Sequence, residues 1–263
     1  MNKSISTVND LNWPEVQERI DNGCKIAILP IGHCEQHGKH LPFGSDTYFI
    51  SAVTKMGAEL AMQESGKPTA LVFPTLPYGN GGKFANGELR LSPSTFNMVI
   101  TDIMKEFEAQ GFTKVIIASG HGSNGSIMST GSNEAFWQGV KLEAYLVSPF
   151  SFMNKTIQEV LEADDYGHAC EIETSTMLYL FPELVSLENI TSDEEQPEFW
   201  TSEDPIKAVR DGIVMHMHAN ARQVTDAMPG YVGQPKKASK EKGEALVSAW
   251  VRGFADFLKE LDQ

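Results

Sequence analysis

Four apolar runs alternate with helical patterns along this chain of 263 residues, and this order leaves few folds open to it. Each run has the length of one β-strand and is followed by glycine, proline or polar residues before the next helical pattern. Strands separated by helices favour a parallel sheet with helices on both faces. The predicted strands are Lys25–Ile31, Ala70–Leu76, Lys114–Ser119 and Leu142–Val147.

Helical patterns fill the intervals between these strands and continue to the end of the sequence. One of them opens with a Ser-Pro-Ser sequence at Ser92 and is closed by Gly111, which are typical start and stop signals. A content of 41% hydrophobic residues can bury a large core, so we expect one domain spanning residues 1–263. The predicted helices are Asp46–Glu64, Ser92–Gln110, Gly125–Gln138, Phe152–Ala163, Glu171–Leu180 and Lys240–Leu261.

One segment, Asn189–Asp211, differs in composition from the rest of the chain. It is rich in Glu, Asp, Ser and Pro and contains Phe199 and Trp200. We interpret it as a surface loop outside the core, with a lid or an oligomer contact as the alternatives.

The charge of the chain excludes some classes of partner. The 35 acidic and 21 basic residues give a formal charge of −14, whereas nucleic acids and anionic membranes select clustered Lys and Arg. We find neither a run of about 18 apolar residues nor a signal-peptide pattern, so we expect a cytoplasmic protein. The three cysteines are an odd number without CxxC spacing, which argues against a disulfide framework.

A loop rich in potential metal ligands follows the first predicted strand. Between Pro30 and Asp46 it contains two carboxylates and three histidines among glycines and prolines that allow sharp turns. Glu35 and His37 lie two positions apart, so on an extended chain both side chains point to the same side. The glycines that follow let the chain fold back and bring Asp46 to them. Imidazole and carboxylate ligands suit zinc, manganese or iron, so the loop predicts a metal site.

Two further clusters can join this site. His121 stands between two glycines directly after the third predicted strand, and loops at the carboxyl ends of parallel strands carry the functional residues of such sheets. His121 meets the metal loop if the first and third strands are neighbours. His168, Glu171 and Glu173 lie at the start of a predicted helix. Carboxylates in a first helical turn also complement the helix dipole, so each glutamate has a structural interpretation as well.

Three segments together form a specific pattern. They read Pro-Ile-Gly-x-x-Glu-Gln-His-Gly-x-His-Leu-Pro-x-x-x-Asp at residues 30–46, Gly-His-Gly-x-Asn at 120–124 and His-Ala-x-Glu-x-Glu-Thr-Ser at 168–175. They resemble the signatures of the creatininase (creatinine amidohydrolase) family, and further matches at Tyr78-Gly79 and from Tyr231 to Gly243 extend the resemblance over nearly the whole chain. The resemblance implies an α/β fold, a three-layer αβα sandwich with a mostly parallel central sheet. It also implies two divalent metal ions per chain (Zn, Mn or Fe) and a homo-oligomer, a hexamer.

Matched position by position, the resemblance also implies a ligand set. Asp46 bridges the ions, with Glu35 and His121 on one of them and His37 and Glu173 on the other. In creatininase itself the glutamate of the second ion stands two residues after the Gly-His histidine, where this chain has Ser123. The replacing ligand must come from elsewhere, and we choose Glu173 over Glu171.

Two other histidines of the metal loop have no fixed role in this pattern. We expect His40 to orient a carboxylate ligand or to satisfy the loop backbone. His33 replaces a small residue usual in the family and lies two positions from Glu35, so it could compete as a ligand.

The predicted mechanism follows from two adjacent cations, which lower the pKa of a bound water from about 15.7 toward about 7 and polarise the carbonyl under attack. His168 is the predicted general acid for the leaving group, with helix capping as its alternative role. We expect Gly122, Ser123 and Asn124 to bind substrate through backbone N–H groups at a helix start, although Asn124 could simply cap that helix. Arg90 could bind a carboxylate, a phosphate or sugar hydroxyls.

The expected partner is a small molecule. Ser123 departs from the creatinine-specific pattern, so a small polar cyclic amide or formamide other than creatinine fits best. One alternative is hydrolysis of a keto-sugar, cyclitol or lactone at the same site. The other is a non-catalytic, metal-bound sensor of small molecules.

Overall fold

The computed structural model describes residues 6–81, 85–163, 166–190 and 230–263. A four-stranded parallel sheet lies at the centre of this part of the chain, in the order β2-β1-β3-β4. The predicted parallel sheet is thereby confirmed, and β1 and β3 are direct neighbours with Ile31 opposite Ser119. The strands are β1 Ile26–Ile31, β2 Ala70–Val72, β3 Lys114–Ser119 and β4 Glu143–Val147.

The second strand is shorter than predicted because Pro74 interrupts it. Proline has no N–H to donate and fits poorly inside a sheet. The Phe73 amide still donates to the Ile28 carbonyl at 2.9 Å, and pairing with β1 resumes only where the Leu76 amide donates to Pro30 at 3.0 Å. The chain therefore stays beside β1 after the strand ends, which brings the following loop to the edge where β1 also ends.

The helices that cover the sheet follow the predicted order. The last two of them have the predicted ends, whereas the helix predicted from Phe152 begins two residues later because Phe152 has a φ of 69°, outside the helical region. Within the described residues the helices are α1 Trp13–Asp21, α2 Ser45–Ser65, α3 Pro93–Ala109, α4 Asn124–Trp137, α5 Asn154–Val160, α6 Glu171–Leu180 and α7 Lys240–Leu261. Short 3-10 turns occur at Val8–Asp10, Pro182–Leu184, Leu187–Asn189 and Pro235–Lys237.

The first helix was not predicted, although the sequence carries its start signal. Asn12 Oδ1 accepts from the Glu15 amide at 3.1 Å, and Glu15 Oε2 accepts from the Asn12 amide at 2.9 Å. This reciprocal capping box, followed by Pro14 in the first turn, is a typical helix N-terminus.

Two apolar clusters, one on each face of the sheet, define three layers. Because side chains alternate along a strand, Ile26 and Ile28 of β1 join one cluster while Ala27 and Leu29 join the other. The first cluster includes Trp250 and Phe254 of α7 with residues of α2 and α6, and the second includes residues of α1, α3 and α4. The predicted αβα sandwich is confirmed, and α7 from the end of the chain shares its core with β1.

Two glycines let the start of α2 approach the ends of the central strands. A β-carbon on Gly120 would lie 2.2 Å from the Asp46 carbonyl oxygen, and one on Gly32 would lie 2.2 Å from Thr47 Oγ1. Only glycine allows this approach. It places Asp46, in the first turn of α2, directly against the ends of β1 and β3.

Two further predictions concern the segment of unusual composition and the lack of a membrane-spanning helix. From residue 191 onward, the segment Asn189–Asp211 lies outside the described residues. Among the helices described above, none is both long and apolar enough to cross a lipid bilayer.

Candidate metal centre

The predicted ligands come from four places that meet at the carboxyl ends of β1 and β3. Glu35 and His37 lie in the loop after β1, where the Glu35 amide donates to the Phe43 carbonyl at 3.2 Å and so fixes the returning chain. His121 follows β3, and Glu173 lies in the first turn of α6. With Asp46 from α2 between them, these five side chains form the cluster that we call the metal centre.

The first half of the metal centre is formed by His121 and two carboxylates. His121 Nδ1 lies 2.8 Å from Glu35 Oε1 and 3.2 Å from Asp46 Oδ2. Both oxygens are buried and have no hydrogen-bond partner of suitable geometry among the described residues. Each of these oxygens therefore keeps lone pairs for a cation.

The second half is formed by His37 with the other oxygen of the same aspartate. His37 Nε2 lies 3.1 Å from Asp46 Oδ1 and 3.9 Å from Glu173 Oε2. On the far side of the ring, His37 Nδ1 is 3.1 Å from the Glu35 backbone carbonyl. A carbonyl oxygen can only accept, so Nδ1 donates and the lone pair of the neutral ring is on Nε2, facing the two carboxylates.

These distances fit divalent ions. Ligand atoms about 2.0–2.2 Å from a tetrahedral ion lie about 3.4 Å from one another, and the spacings here run from 2.8 to 3.9 Å. Two imidazoles and three carboxylates are a donor set that zinc, manganese and iron accept. Glu35 and Asp46 are buried and Glu173 is partly buried, and three carboxylates this close together without cations would carry a high desolvation and repulsion cost.

The pKa values of these side chains also show that the carboxylates favour positive charge beside them. Burial would lower the pKa of His37, but the Asp46 carboxylate outweighs it and raises that pKa to about 10. Burial is likewise outweighed at His121 by Asp46 and Glu35, and its pKa also rises to about 10. Burial acts to raise the pKa of Asp46 and Glu35, yet the histidines hold both pKa values below their usual range. Burial raises the pKa of Glu173 to about 7, with Asp46 adding to the effect and His37 opposing it.

His168 lies against both halves without joining the tight contacts. Its Nε2 lies 2.6 Å from the Gln36 backbone carbonyl oxygen and 3.1 Å from the Gln36 side-chain nitrogen. The carbonyl can only accept, so the shorter contact places the ring proton on Nε2 and the lone pair of the neutral ring on Nδ1. Nδ1 lies 3.7 Å from Glu35 Oε1, and the ring is 4.5 Å from the His37 ring. Burial, followed by the neighbouring His37, lowers the pKa of His168. The structure thus places a proton-accepting nitrogen at the edge of the metal centre.

The two glutamates at the start of α6 point in different directions. Glu173 lies in the metal centre, and its Oε2 accepts from the Ala169 amide at 2.5 Å. Ala169 has a φ of 49°, an uncommon conformation for a residue with a β-carbon, which aims that amide at Glu173. Glu171 instead accepts from Lys242 Nζ at 2.5 Å and from the Ala163 amide at 2.9 Å. Glu171 is therefore part of a buried ion pair outside the cluster.

Two polar residues of the predicted site cross-link the loops around it. The Asn124 side chain donates to the Gly32 carbonyl at 3.2 Å and to Ser119 Oγ at 3.1 Å, and accepts from the Asn80 amide at 3.0 Å. These bonds occupy the buried side-chain amide, and the residue before the first turn of α4 is Ser123, so Asn124 does not cap that helix as the alternative prediction had it. The Asn124 backbone amide donates to the His121 carbonyl at 3.3 Å. His40 lies beside the cluster, with Nε2 3.0 Å from Thr174 Oγ1, next to Glu173.

The remaining predicted substrate residues lie at the rim. Gly122 and Ser123 are exposed at the start of α4, and Ser123 precedes the first residue of α4. Gly122 lines a cleft of about 300 Å³ together with His121. Arg90 is exposed and donates to the Gly81 carbonyl at 3.3 Å, in the loop that passes over His121.

A second cleft lies on the other side of Asp46. It is open to solvent, measures about 330 Å³, and has Asp46 and Glu173 in its wall. Its other walls are largely apolar, formed by side chains such as Phe49, Phe150, Met153 and Met177.

One residue that sequence reasoning did not single out is Gln36, whose carbonyl fixes the His168 ring. Its position between Glu35 and His37 is the sequence feature that could have identified it.

A three-layer α/β fold with imidazole and carboxylate groups clustered at the carboxyl edge of its sheet is the arrangement of a metal-dependent enzyme, and activation of a water for hydrolysis is one chemistry that it supports. The family model described as "Creatininase: Creatinine amidohydrolase" matches residues 9–258, so the chain belongs to the creatininase family. It is accordingly a metal-dependent amidohydrolase of that family, as its sequence predicts.

Individual relatives are similar over most of their length. The creatinine amidohydrolase of Pseudomonas putida is 29% identical over 280 residues, which cover 99% of this chain and 98% of that protein. The 3-dehydro-scyllo-inosose hydrolase of Thermotoga maritima is 26% identical over 267 residues, with 95% and 80% covered. The solved structure "Creatininase Mn" superposes with a TM-score of 0.78 at 27% identity and covers 98% of both chains.

Proposed function

We propose that this chain uses two divalent ions to hydrolyse the carbon–nitrogen bond of a small polar cyclic amide or formamide. The orientation of Asp46 is the observation that carries the proposal. Its Oδ2 lies 3.2 Å from His121 Nδ1 and its Oδ1 lies 3.1 Å from His37 Nε2. A carboxylate that turns one oxygen to each of two imidazoles is suited to bridge two ions. Glu35 would then complete the first ion site, and Glu173 the second.

Bound at these ligands, the ions supply a water of lowered pKa and polarise the substrate carbonyl. The protein contributes the surroundings of that reaction. The backbone N–H groups at the start of α4, near Gly122 and Ser123, are suited to hold a substrate oxygen, and Gly122 lines the cleft beside His121. Arg90 at the rim is suited to an anionic or hydroxylated part of the substrate.

His168 is the proposed proton carrier. Its Nε2 is held by Gln36, so only Nδ1 is available to accept a proton from the attacking water. The lowered pKa of His168 supports a neutral ring at the start of the reaction. We therefore extend the predicted general-acid role, since Nδ1 first accepts the proton and then returns it to the leaving nitrogen.

The clefts beside the metal centre support a small substrate. One cleft is lined by His121 and Gly122 and the other by Asp46 and Glu173, so a small molecule in either cleft would lie against the ligand cluster. Ser123, which lies on the exposed rim, gives the second ion no carboxylate at the position used in creatininase itself. This difference supports a substrate other than creatinine.

A second candidate is hydrolysis of a polyhydroxylated cyclic ketone, as in the cyclitol and keto-sugar alternative. The observation in its favour is the similarity to a 3-dehydro-scyllo-inosose hydrolase over 95% of this chain. The same two ions would serve this reaction, with a carbon leaving group in place of nitrogen.

We further propose a cytoplasmic homo-oligomer, a hexamer, of one domain per chain. The three free cysteines Cys24, Cys34 and Cys170 fit a reducing compartment. Exposed aromatic side chains support assembly, since Trp13 is 80% exposed and Trp137 is 89% exposed. Light scattering of the purified protein would give the mass of the assembly directly.

Product analysis tests the proposed function. Protein loaded with Zn²⁺ or Mn²⁺ is incubated separately with lactams, formamides and cyclic keto-sugars. Release of ammonia, an amine or formate supports the amidohydrolase, and acid formation without nitrogen release from a keto-sugar supports the second candidate. Full occupancy by two ions with no turnover of any of these classes would contradict both.

A further inference from the structure

His33 is a fully buried histidine beside the metal centre that the proposed ligand set does not use. It has no exposed surface, and its ring lies 4.7 Å from the ring of His121. A ring nitrogen of His33, one of His121 and a carboxylate oxygen of Glu35 lie within 4.8 Å of one another. By position alone, His33 could be a third imidazole ligand or a group that faces the substrate.

A backbone contact distinguishes these two roles. The Gly79 amide donates to His33 Nδ1 at 3.2 Å. Since an amide N–H can only donate, Nδ1 must carry the lone pair, and the proton of the ring is on Nε2. An imidazole that binds a metal ion through Nε2 needs its lone pair there. The contact with Gly79 therefore disfavours ligation through Nε2 and leaves an N–H group.

That N–H group has no acceptor in the described part of the chain. His33 Nε2 is buried without a hydrogen-bond partner, and so is His121 Nε2. Both nitrogens lie beside Gly81, because a β-carbon at this position would be 2.6 Å from the first and 3.3 Å from the second. With His121 ligated through Nδ1, its Nε2 is also an N–H. Two buried donors then face one region, and each costs free energy until an acceptor satisfies it.

We propose that His33 is a substrate-binding residue whose Nε2–H donates a hydrogen bond to an oxygen atom of the substrate, and that it is not a metal ligand. This replaces the expectation that His33 competes as a ligand. The inference rests on the proposed binuclear site and adds a specificity element to it. The substrate must carry an acceptor oxygen, such as a carbonyl, carboxylate or hydroxyl oxygen, on the side of Gly81 and Arg90.

Two variants separate the two nitrogens of the ring. In His33→Asn the side-chain oxygen can take the place of Nδ1 and accept from Gly79, while the Nε2 donor is lost. In His33→Gln the terminal amide nitrogen can reach the position of Nε2 and still donate. Both variants therefore lack the imidazole, but only His33→Gln keeps a donor at the position of Nε2.

The probe is acetohydroxamate, a small anion that binds divalent ions through oxygen. Its affinity is measured by titration of the zinc-loaded protein, and zinc content is measured by elemental mass spectrometry. We expect two ions per chain in wild type and both variants. Acetohydroxamate should bind about 10- to 100-fold more weakly to His33→Asn, and within about threefold of wild type to His33→Gln.

X-ray absorption of the zinc-loaded wild type gives an independent count of imidazoles. We expect one imidazole per zinc ion, from His37 and His121. A count of about 1.5, or loss of an ion in both variants, would show that His33 is a ligand and overturn the inference. Equal acetohydroxamate affinity in all three proteins would also overturn it. Failure of wild type to bind two ions would instead contradict the proposed function, so the two failures are distinguishable.

Discussion

The two halves of the metal centre are positioned by different parts of the fold. In the first half, Glu35 and His121 follow neighbouring central strands, and their contact measures 2.8 Å. In the second half, Glu173 comes from α6 and remains 3.9 Å from His37, with 23% of its side chain exposed. The sheet fixes one half, whereas a helix end and a single strained residue, Ala169, fix the other.

This difference indicates unequal affinity for the two ions. Ligands at the ends of paired strands are preorganised because the ladder between β1 and β3 sets their separation. Glu173 must instead be brought into contact and lose the proton that its raised pKa of about 7 favours. We therefore expect the first ion, at Glu35 and His121, to bind more tightly than the second.

The largest expected effect comes from the residue that the two halves share. Asp46→Ala should remove both ions and nearly all activity, because each half loses one carboxylate oxygen. Metal content per chain, measured by elemental mass spectrometry on protein purified without chelator, checks this. Retention of one ion with an unchanged affinity would show that Asp46 belongs to one half only and is not a bridge.

A matched pair of variants tests the second half alone. Glu173→Gln should leave one ion per chain and weaken the second by at least about a hundredfold, since a ligand is lost. Glu171→Gln, two residues away, should keep both ions and lower the free energy of unfolding by about 1–3 kcal/mol through its contact with Lys242. Metal titration and urea unfolding measure these outcomes. The reverse pattern would mean that Glu171 is the ligand.

His168 should affect the rate without affecting either ion. His168→Ala is expected to retain full metal content and to lower kcat about 10²- to 10⁴-fold, the usual contribution of a positioned proton carrier. The measurement is kcat on a substrate found by the product screen, together with metal content. A variant that loses an ion would place His168 among the ligands, and normal kcat would remove it from the mechanism.

Lowering the pH should weaken binding of the second ion more steeply than binding of the first. The first ion displaces a proton from His121, whose pKa is about 10, whereas the second displaces protons from His37, at about 10, and from Glu173, at about 7. Protons compete with ions, so affinity falls as pH falls. Since Glu173 adds a second proton that competes only with the second ion, log Kd should change more steeply with pH for the second ion than for the first. Chelator competition at several pH values measures both slopes, and equal slopes would contradict the comparison.

Much of the fold and of the candidate ligand set could be predicted from the sequence because both depend on local patterns. The apolar runs around Ile28 and Ile116 predict buried strands, and the glycine-flanked His121 marks a strand end. The start of α1 at Asn12 was missed although its capping signal is local. The shorter β2 reflects a proline whose effect on pairing shows only beside β1.

Periodicity and residue chemistry alone could not distinguish between neighbouring side chains, and the choice of Glu173 over Glu171 rested on the family resemblance. Glu171 and Glu173 lie in one helical turn, and residues two apart project about 200° from each other, so packing decides which one meets the sheet edge. Asn124 had two predicted roles, and neither included the cross-link that its side chain forms with Gly32, Ser119 and Asn80.

The sequence by itself determined the family, the parallel sheet and the presence of imidazole and carboxylate ligands, because these follow from periodicity and residue chemistry. Only the tertiary structure decided the orientation of individual side chains. It turned the two oxygens of Asp46 toward different histidines and set the tautomer of His33 through the Gly79 amide. Both outcomes depend on contacts between segments far apart in the chain. The contacts of Asp46 are possible because the glycines at 32 and 120 let α2 reach the strand ends.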